Sequence, residues 1–308
     1  MQAIKKQIFQ SKKFSEFSDA LRGLTPGSPL MVRGISGSLL AFVSSFAAEN
    51  MQRQVVVVAR DEETAEMLRD DCGELLGEGN VRLFAGRSHH SAQALDLTSS
   101  VAQIETLQSL VVPSRLLIVA SPLSVVQKVP APSGFRETIL EIRVNEEYSF
   151  QSLIDRLTEL GFEKKDFVEG YGDFAVRGGI VDVFPYVGDH PVRLEFWGDS
   201  VESIREFDVL SQRSIRDLKR AALVPPLDRE APGKDVSQSA SLFDHVAGDT
   251  VVILDEPALI EGEISELVKE GTTDLFTYEE LMTRTRNFSS VFNSSFGPAS
   301  AAVASSGA

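Results

Sequence analysis

Residues 29–59 carry the pattern that most constrains the fold of this chain. A short apolar run at residues 29–32 is followed by a turn containing Gly34 and Gly37, then by a helical run and a second apolar run. A strand, a glycine turn and a helix in this order are the setting that a phosphate-binding loop requires. Strand and helix signals continue to alternate to about residue 125, which predicts a parallel sheet with helices on both faces.

The glycine turn lacks the side chains that bind a nucleoside triphosphate. A working loop reads GxxxxGK[ST], in which the Lys neutralises phosphate charge and the hydroxyl binds Mg²⁺. Counted from Gly34, the second glycine, the Lys and the hydroxyl are replaced by Leu39, Leu40 and Ala41. We therefore expect no ATP hydrolysis, whether the segment is a degenerate loop or a tight turn that merely contains two glycines. The degenerate loop comprises Gly34, Gly37, Ser38, Leu39, Leu40 and Ala41.

The composition limits the partners and the compartment. A net charge of −15 over 308 residues argues against a large nonspecific footprint on DNA or on an anionic membrane. The apolar runs are far shorter than the roughly 20 residues that span a bilayer, and no signal peptide opens the chain. We predict a cytoplasmic chain of two or three domains with no membrane partner.

Reactive residue types occur without the context that catalysis needs. Cys72 lies in a helical apolar pattern, which favours a buried structural thiol. His89 and His90 are adjacent and point in different directions, so they are poor joint metal ligands. Asp255 and Glu256 end an apolar strand like the second half of a nucleotide-hydrolase signature, but the proline that follows indicates that they cap or precede a helix. We predict no catalytic residue, no metal and no cofactor.

The middle of the chain changes character. Ser149 can cap an amphipathic helix, and β-rich runs with short turns between them follow from about residue 173 to residue 209. This pattern predicts an antiparallel meander with one helix packed on it. The α/β rhythm resumes after about residue 227, and the Ser- and Ala-rich end of the sequence is typical of disorder.

One strand of the meander carries a candidate binding surface. Alternation along residues 192–197 places Arg193 and Trp197 on the face opposite the core. Trp and Arg are the residue types most enriched at binding hot spots. The alternatives are that a neighbouring domain covers this face or that Arg193 merely stacks on Trp197. Arg177 could join the same face, and Gly178–Gly179 after it indicates a bulge or a close backbone approach.

Three motifs in this region resemble a known family. The segments FAVRGGIVDVFP (174–185), VRLEFWGD (192–199) and SIREFDVLSQRS (203–214) closely resemble the N-terminal part of the bacterial transcription-repair coupling factors (Mfd). That part is itself similar to the excision-repair helicase UvrB. The motifs occur in order and at the correct spacing, and the resemblance covers most of residues 25–270.

The resemblance implies an α/β fold in which a RecA-like, P-loop-derived parallel-sheet domain is split by an inserted β-rich α+β domain. The implied segments are residues 1–125 as the first part of the degenerate RecA-like domain, 126–225 as the inserted UvrA-binding domain, 226–290 as the second part of the α/β domain and 291–308 as a disordered tail. In this family the UvrB-like module has lost its ATP site, in agreement with the degenerate loop.

The resemblance also implies the function. The chain is identified as a non-catalytic module that recruits UvrA to damage-stalled transcription complexes for nucleotide excision repair, with Arg177, Arg193 and Trp197 at the UvrA-contacting positions. Other domains of the full-length protein are further partners, and RNA polymerase and DNA are contacted only by regions outside this chain. Residues 86–103, which correspond to the DNA-separating hairpin of UvrB, are short and contain no aromatic residue.

Two other functions remain open at this point. One is an active, ATP-dependent UvrB-like DNA helicase fragment, which requires a cation where Leu40 stands. The other is an autoinhibitory clamp that masks its own interaction face. If the recruitment interpretation is right, we expect that truncation of Arg193 or Trp197 to alanine weakens UvrA binding and leaves the melting temperature nearly unchanged.

Overall fold

The computed structural model describes residues 2–87, 94–112, 114–227, 240–270, 272 and 275–295. Its strands are β1 (Leu30–Arg33), β2 (Val55–Val58), β3 (Val81–Phe84), β4 (Leu117–Ala120), β5 (Leu140–Arg143), β6 (Glu163–Lys164), β7 (Asp173–Arg177), β8 (Ile180–Val183), β9 (Val192–Trp197), β10 (Ser200–Phe207), β11 (Ser214–Leu218), β12 (Arg220–Leu223), β13 (Val251–Asp255) and β14 (Ser289–Ser294). Its α-helices are α1 (Gln2–Phe9), α2 (Lys12–Arg22), α3 (Leu39–Met51), α4 (Glu62–Leu76), α5 (Ala94–Leu110), α6 (Pro122–Val126), α7 (Pro132–Thr138), α8 (Phe150–Glu159), α9 (Leu242–His245), α10 (Pro257–Lys269) and α11 (Tyr278–Thr285).

Six strands form a parallel sheet in the order β1-β14-β13-β2-β4-β3. Three of the four inner strands, β2, β4 and β13, are buried at every residue. Their sequences are continuous apolar runs, as expected for strands that are covered on both faces. The parallel sheet predicted from these runs is therefore confirmed.

The two faces of this sheet belong to two separate apolar clusters. Alternate side chains of β2 point to opposite faces, so Val55 and Val57 pack with α3 and α4. Val56 and Val58 pack on the other side with α5, α6 and α10. The sheet is thus the middle layer of three. The helices that cover it correspond to the helical sequence patterns between the apolar runs.

Cys72 lies inside the cluster formed by α3 and α4. It is fully buried, and its Sγ lies 3.9 Å from the carbonyl oxygen of Ala41. Burial raises the pKa of this thiol to about 12, because the thiolate would lose its hydration. The prediction of a structural thiol is confirmed.

Strand β14 corrects the predicted start of the disordered tail. Residues 291–294, which the sequence placed in the tail, form the second half of a strand that pairs with β1 on one side and β13 on the other. The segment contains polar residues at buried positions, including Ser290 and Asn293, and for that reason it does not look like an inner strand. Backbone pairing on both sides and the two hydrogen bonds donated by the Asn293 side-chain nitrogen compensate for part of this burial. Residues 296–308 lie outside the described part.

The second sheet has the order β11-β10-β9-β8-β7-β6 and is antiparallel except for the pair β6–β7. Helix α8 packs on one face of it, through Leu153 and Leu157 against Phe174 and Leu194. The Ser149 hydroxyl accepts a hydrogen bond from the amide of Ser152 and caps this helix, as predicted. The antiparallel meander with one helix packed on it is confirmed.

Chain order divides the strands between the two sheets. Strands β1 to β4 and then β13 and β14 form the parallel sheet, and the strands from residue 163 to residue 218 form the second sheet. Strands β5 and β12 belong to neither of these sheets and pair with each other as a separate two-stranded unit. The structure has the mixed α/β architecture that was predicted. The RecA-like ancestry and the boundaries at residues 125, 225 and 290 stay predictions.

Further expectations concern membrane-crossing helices, a zinc site and the segment compared with the UvrB hairpin. Within the described ranges, none of the helices combines the length and the apolar character that crossing a membrane requires. His89 and His90, for which we predicted no zinc site, lie outside the described residues, as does part of the segment compared with the UvrB hairpin.

Candidate functional site

The glycine turn connects β1 to α3, as the sequence predicts. Gly34 has a φ of +78° and Gly37 a φ of +54°, conformations that favour glycine. Leu40 and Ala41 lie in the first turn of α3 and are buried in the cluster between the sheet and the helices. The two positions that would bear the Lys and the hydroxyl of a nucleotide site are thus part of the hydrophobic core.

A buried carboxylate lies beside this turn. Asp255 ends β13 and is 3 % exposed, and burial raises its pKa. The side-chain amide of Asn293 donates to Asp255 Oδ1 at 2.7 Å and to the carbonyl of Ile35 at 2.8 Å. Glu256 occupies the position before α10, which confirms that the acidic pair precedes a helix. An internal amide therefore bridges the carboxylate and the turn.

The second candidate region is the face of the second sheet that lies opposite α8. Along β9, Val192, Leu194 and Phe196 are buried toward that helix, and the residues between them point to the other side. Arg193 is partly covered on this outer face, and Trp197 is 80 % exposed. The alternation predicted for residues 192–197 is confirmed.

Asp182 connects the two arginines of this face. It lies on β8 directly opposite Arg193 and is 1 % exposed. Arg193 donates to Asp182 from Nε to Oδ1 at 2.7 Å and from Nη2 to Oδ2 at 2.9 Å. Arg177 donates from Nη2 to the same Oδ2 at 2.5 Å. One buried carboxylate therefore holds both guanidiniums, and such bidentate, charge-assisted bonds are the strong ones.

Sequence reasoning missed Asp182. The signal in the sequence is a carboxylate inside the apolar run of residues 180–183. Alternation puts Asp182 on the same face as Arg193 once β8 and β9 are paired. A lone carboxylate in an apolar strand needs a cationic partner, because an unpaired buried charge is costly. The cross-strand register that supplies this partner is not visible in the sequence.

Each arginine also stacks on an aromatic ring. The guanidinium of Arg193 lies 4.4 Å from the ring centre of Phe207, and its Nη2 donates to Gln212 Oε1 at 3.0 Å. The guanidinium of Arg177 lies 4.8 Å from the ring centre of Phe167. The hydrogen bonds to Asp182 raise the pKa of Arg193, so this group stays charged. Both cations are fixed before any partner arrives.

A tight turn brings the end of β7 next to β9. Gly178 has a φ of +61°, and a Cβ on Gly179 would lie 2.8 Å from the carbonyl oxygen of Phe196. The amide of Phe196 in turn donates to the carbonyl of Gly179 at 2.8 Å. The predicted close backbone approach is confirmed, and it sets Arg177 and Trp197 on neighbouring parts of one surface.

Glu195 lies between Arg193 and Trp197 on β9, but it is already engaged. It forms an ion pair with Arg205 and accepts a hydrogen bond from the Ser203 hydroxyl at 2.7 Å. Arginine and aromatic groups are therefore the groups that this part of the sheet offers to a partner. We call the set Phe167, Arg177, Asp182, Arg193 and Trp197 the docking face.

The exposed parts of the docking face define the chemistry that it can recognise. The side chain of Arg177 is 40 % exposed, Phe167 is 55 % exposed and Trp197 is 80 % exposed. Fixed guanidiniums beside large apolar side chains suit a protein surface that presents carboxylates and apolar side chains. Among the described residues, we find no His, Cys, Asp and Glu group with the arrangement of a metal site.

Comparisons with known proteins match the part of the chain that contains the docking face. Residues 140–227, which include the docking face, match the family described as the UvrB interaction domain. The chain is 30 % identical to the transcription-repair-coupling factor of Myxococcus xanthus over 266 residues, 82 % of this chain and 22 % of that protein. It is 26 % identical to the corresponding protein of Bacillus subtilis over 217 residues, 70 % of this chain and 18 % of that protein.

A second class of relative is also similar. The UvrABC system protein B of Natronomonas pharaonis is 27 % identical over 210 residues, which is 63 % of this chain and 30 % of that protein. The chain thus spans about a fifth of the length of the Myxococcus xanthus and Bacillus subtilis coupling factors and 30 % of the length of this UvrABC system protein B.

Proposed function

This chain contains a UvrB interaction domain within a UvrB-homology region of the transcription-repair-coupling-factor type, and from that premise we propose that it recruits UvrA without hydrolysing ATP. The relatives support a role in UvrA-linked nucleotide excision repair. The recruitment would take place at damage-stalled transcription complexes in the cytoplasm. We further propose that contacts with RNA polymerase and DNA belong to parts of the full-length protein outside this chain.

The observation that carries this proposal is the exposed, pre-oriented docking face. Trp197 is the only Trp of the chain, and its side chain lies almost entirely in solvent beside two arginines that one buried carboxylate holds in place. Ordering a flexible arginine at an interface costs about 0.5–1.5 kcal/mol. Because Asp182 already orders both arginines in the free chain, binding of the partner incurs little of this ordering cost.

The proposal is tested by retention of UvrA on the immobilised chain. We expect retention by the natural sequence and loss of retention by Trp197→Glu, which places a carboxylate at the most exposed position of the docking face. Leu210→Glu is the matched control, because Leu210 is 94 % exposed and lies in the turn between β10 and β11. If the natural sequence does not retain UvrA, or if both variants retain it equally, the proposal is wrong.

The non-catalytic part of the proposal predicts that Mg-ATP does not bind. Leu40 and Ala41 are buried in the core, so a cation and a metal ligand are missing at the two positions that a triphosphate needs. Isothermal titration with Mg-ATP at millimolar concentration should show no heat beyond dilution. Saturable heat would favour the rival function, an active ATP-dependent helicase fragment.

A further inference from the structure

A cleft of about 620 Å³ opens at the edge of the parallel sheet where β2, β4 and β13 begin. Arg53 and Arg115 line it from the segments just before β2 and β4, and Asp249 from the segment before β13. Arg136 of α7 and His245 of α9 complete the wall. This edge lies opposite the one at which β1 leads into the degenerate nucleotide loop, so the cleft is separate from that loop.

The cleft concentrates positive charge in an acidic chain. Within the described residues, Arg53, Arg115 and Arg136 form no ion pair, and Asp249 is the single carboxylate among the lining side chains. Arg115 donates from Nη1 to Gln52 Oε1 at 3.3 Å, and Arg136 donates from Nη2 to a backbone carbonyl at 3.3 Å. Each guanidinium has five donors, so the contacts within the described residues use only a minority of them.

The lining also has an apolar part. Val112 is 68 % exposed, and Leu110, Val111 and Val246 lie in the same wall. Such a wall suits an apolar side chain. Phe, Tyr and Trp are absent from the described lining residues, and the His245 ring is held by a hydrogen bond from Nε2 to the carbonyl of Pro130 at 2.8 Å. Single-stranded nucleic acid binds through aromatic stacking as well as charge, so a peptide fits this lining better.

We propose that this cleft binds an acidic peptide segment of another protein, with carboxylates on Arg53, Arg115 and Arg136 and an apolar side chain against Val112. Guanidiniums bind carboxylates through paired, planar hydrogen bonds, and the volume of the cleft lies in the usual range of ligand-binding pockets. The site is on the parallel sheet and does not involve the docking face, so it stands or falls independently of UvrA recruitment.

The test is fluorescence polarisation with a short fluorescein-labelled peptide of alternating Glu and Leu, titrated with the whole chain. The triple variant Arg53→Ser, Arg115→Ser, Arg136→Ser should bind at least about tenfold more weakly. The matched control is Arg22→Ser, Arg220→Ser, Arg286→Ser, which removes the same charge from exposed positions away from the cleft. It should bind within about twofold of the natural chain. Val112→Glu should also weaken binding without a change in melting temperature, because Val112 is largely exposed.

Three results would overturn the proposal. The first is that the natural chain shows no saturable polarisation change with the peptide. The second is an equal loss of affinity in the cleft variant and in the control variant, which would indicate a general effect of net charge. The third is that a single-stranded oligonucleotide displaces the peptide at lower concentration than unlabelled peptide does, because the occupant would then be nucleic acid.

Discussion

Replacing Asp182 with alanine is expected to lower the free energy of unfolding of the second sheet by about 2–3 kcal/mol and to weaken UvrA binding about tenfold. The carboxylate is 1 % exposed and accepts hydrogen bonds from two guanidiniums, so its removal leaves two neighbouring cations without their shared counter-charge. Breaking a fully buried pair costs about 3–5 kcal/mol, and we use a lower value because the arginine side chains are 17 % and 40 % exposed. Urea unfolding followed by circular dichroism measures the first effect, and titration with UvrA the second.

A control for this prediction lies on the same sheet. Asp217 of β11 is exposed, and its replacement by alanine should change the stability by less than about 0.5 kcal/mol. The Asp182→Asn variant separates charge from shape, because it keeps the volume of the side chain and loses the counter-charge. If Asp182→Ala were as stable as Asp217→Ala and bound UvrA normally, the arginines would not depend on Asp182 for their position.

Replacing Trp197 with alanine is expected to weaken UvrA binding by about 2 kcal/mol or more, which is roughly thirtyfold, and to leave the melting temperature unchanged. The Trp197 side chain is 80 % exposed, so it contributes little to the stability of the folded chain. Trp197→Phe keeps a large ring and should recover most of the affinity. Calorimetric titration gives the affinity and differential scanning calorimetry the melting temperature.

The control for Trp197 is Leu210→Ala, because Leu210 is a second exposed apolar side chain and lies in the turn between β10 and β11. It should leave the affinity for UvrA within a factor of two. Unfolding of Trp197→Ala would mean that the ring is part of the core. Normal affinity in a folded Trp197→Ala variant would place the recruitment surface elsewhere on the chain.

For Arg193 the structure changes the expectation that was drawn from the sequence. Strand alternation correctly placed it on the face opposite the core, and an exposed arginine there would be removed at little cost to stability. Its bidentate pair with Asp182 and its contact with Phe207 make it a supporting residue of the sheet as well. Arg193→Ala should therefore lower the melting temperature, whereas Trp197→Ala should not.

The parts of the fold that the sequence predicts well are those that depend on local pattern. Continuous apolar runs, such as the Val run at residues 55–58, predict strands covered on both faces, and alternation in β9 predicts which residues are exposed. The turn after Gly34 and the cap at Ser149 are likewise local. These features need no knowledge of which strand pairs with which.

The parts that the sequence does not predict depend on which residues lie opposite each other once the strands are paired. The burial of Asp182 is explained only by the pairing of β8 with β9, which supplies Arg193. Likewise, β14 is a strand only because it pairs with β1 and β13. Asn293 is fully buried there, and its amide nitrogen donates hydrogen bonds to Asp255 and to the carbonyl of Ile35. Burial and charge pairing of this kind are set by tertiary contacts that override local propensity.

The pairing of β1 with β14 has a consequence for how the chain folds during synthesis. Leu30 pairs with Val291, so the first strand has no neighbour in the sheet until almost all of the described residues have left the ribosome. At about 5–20 residues per second, this delay amounts to roughly tens of seconds. The strands of the second sheet, by contrast, are complete once residue 218 has emerged. The docking face can therefore form on the nascent chain while the parallel sheet, which begins earlier in the sequence, still lacks β13 and β14.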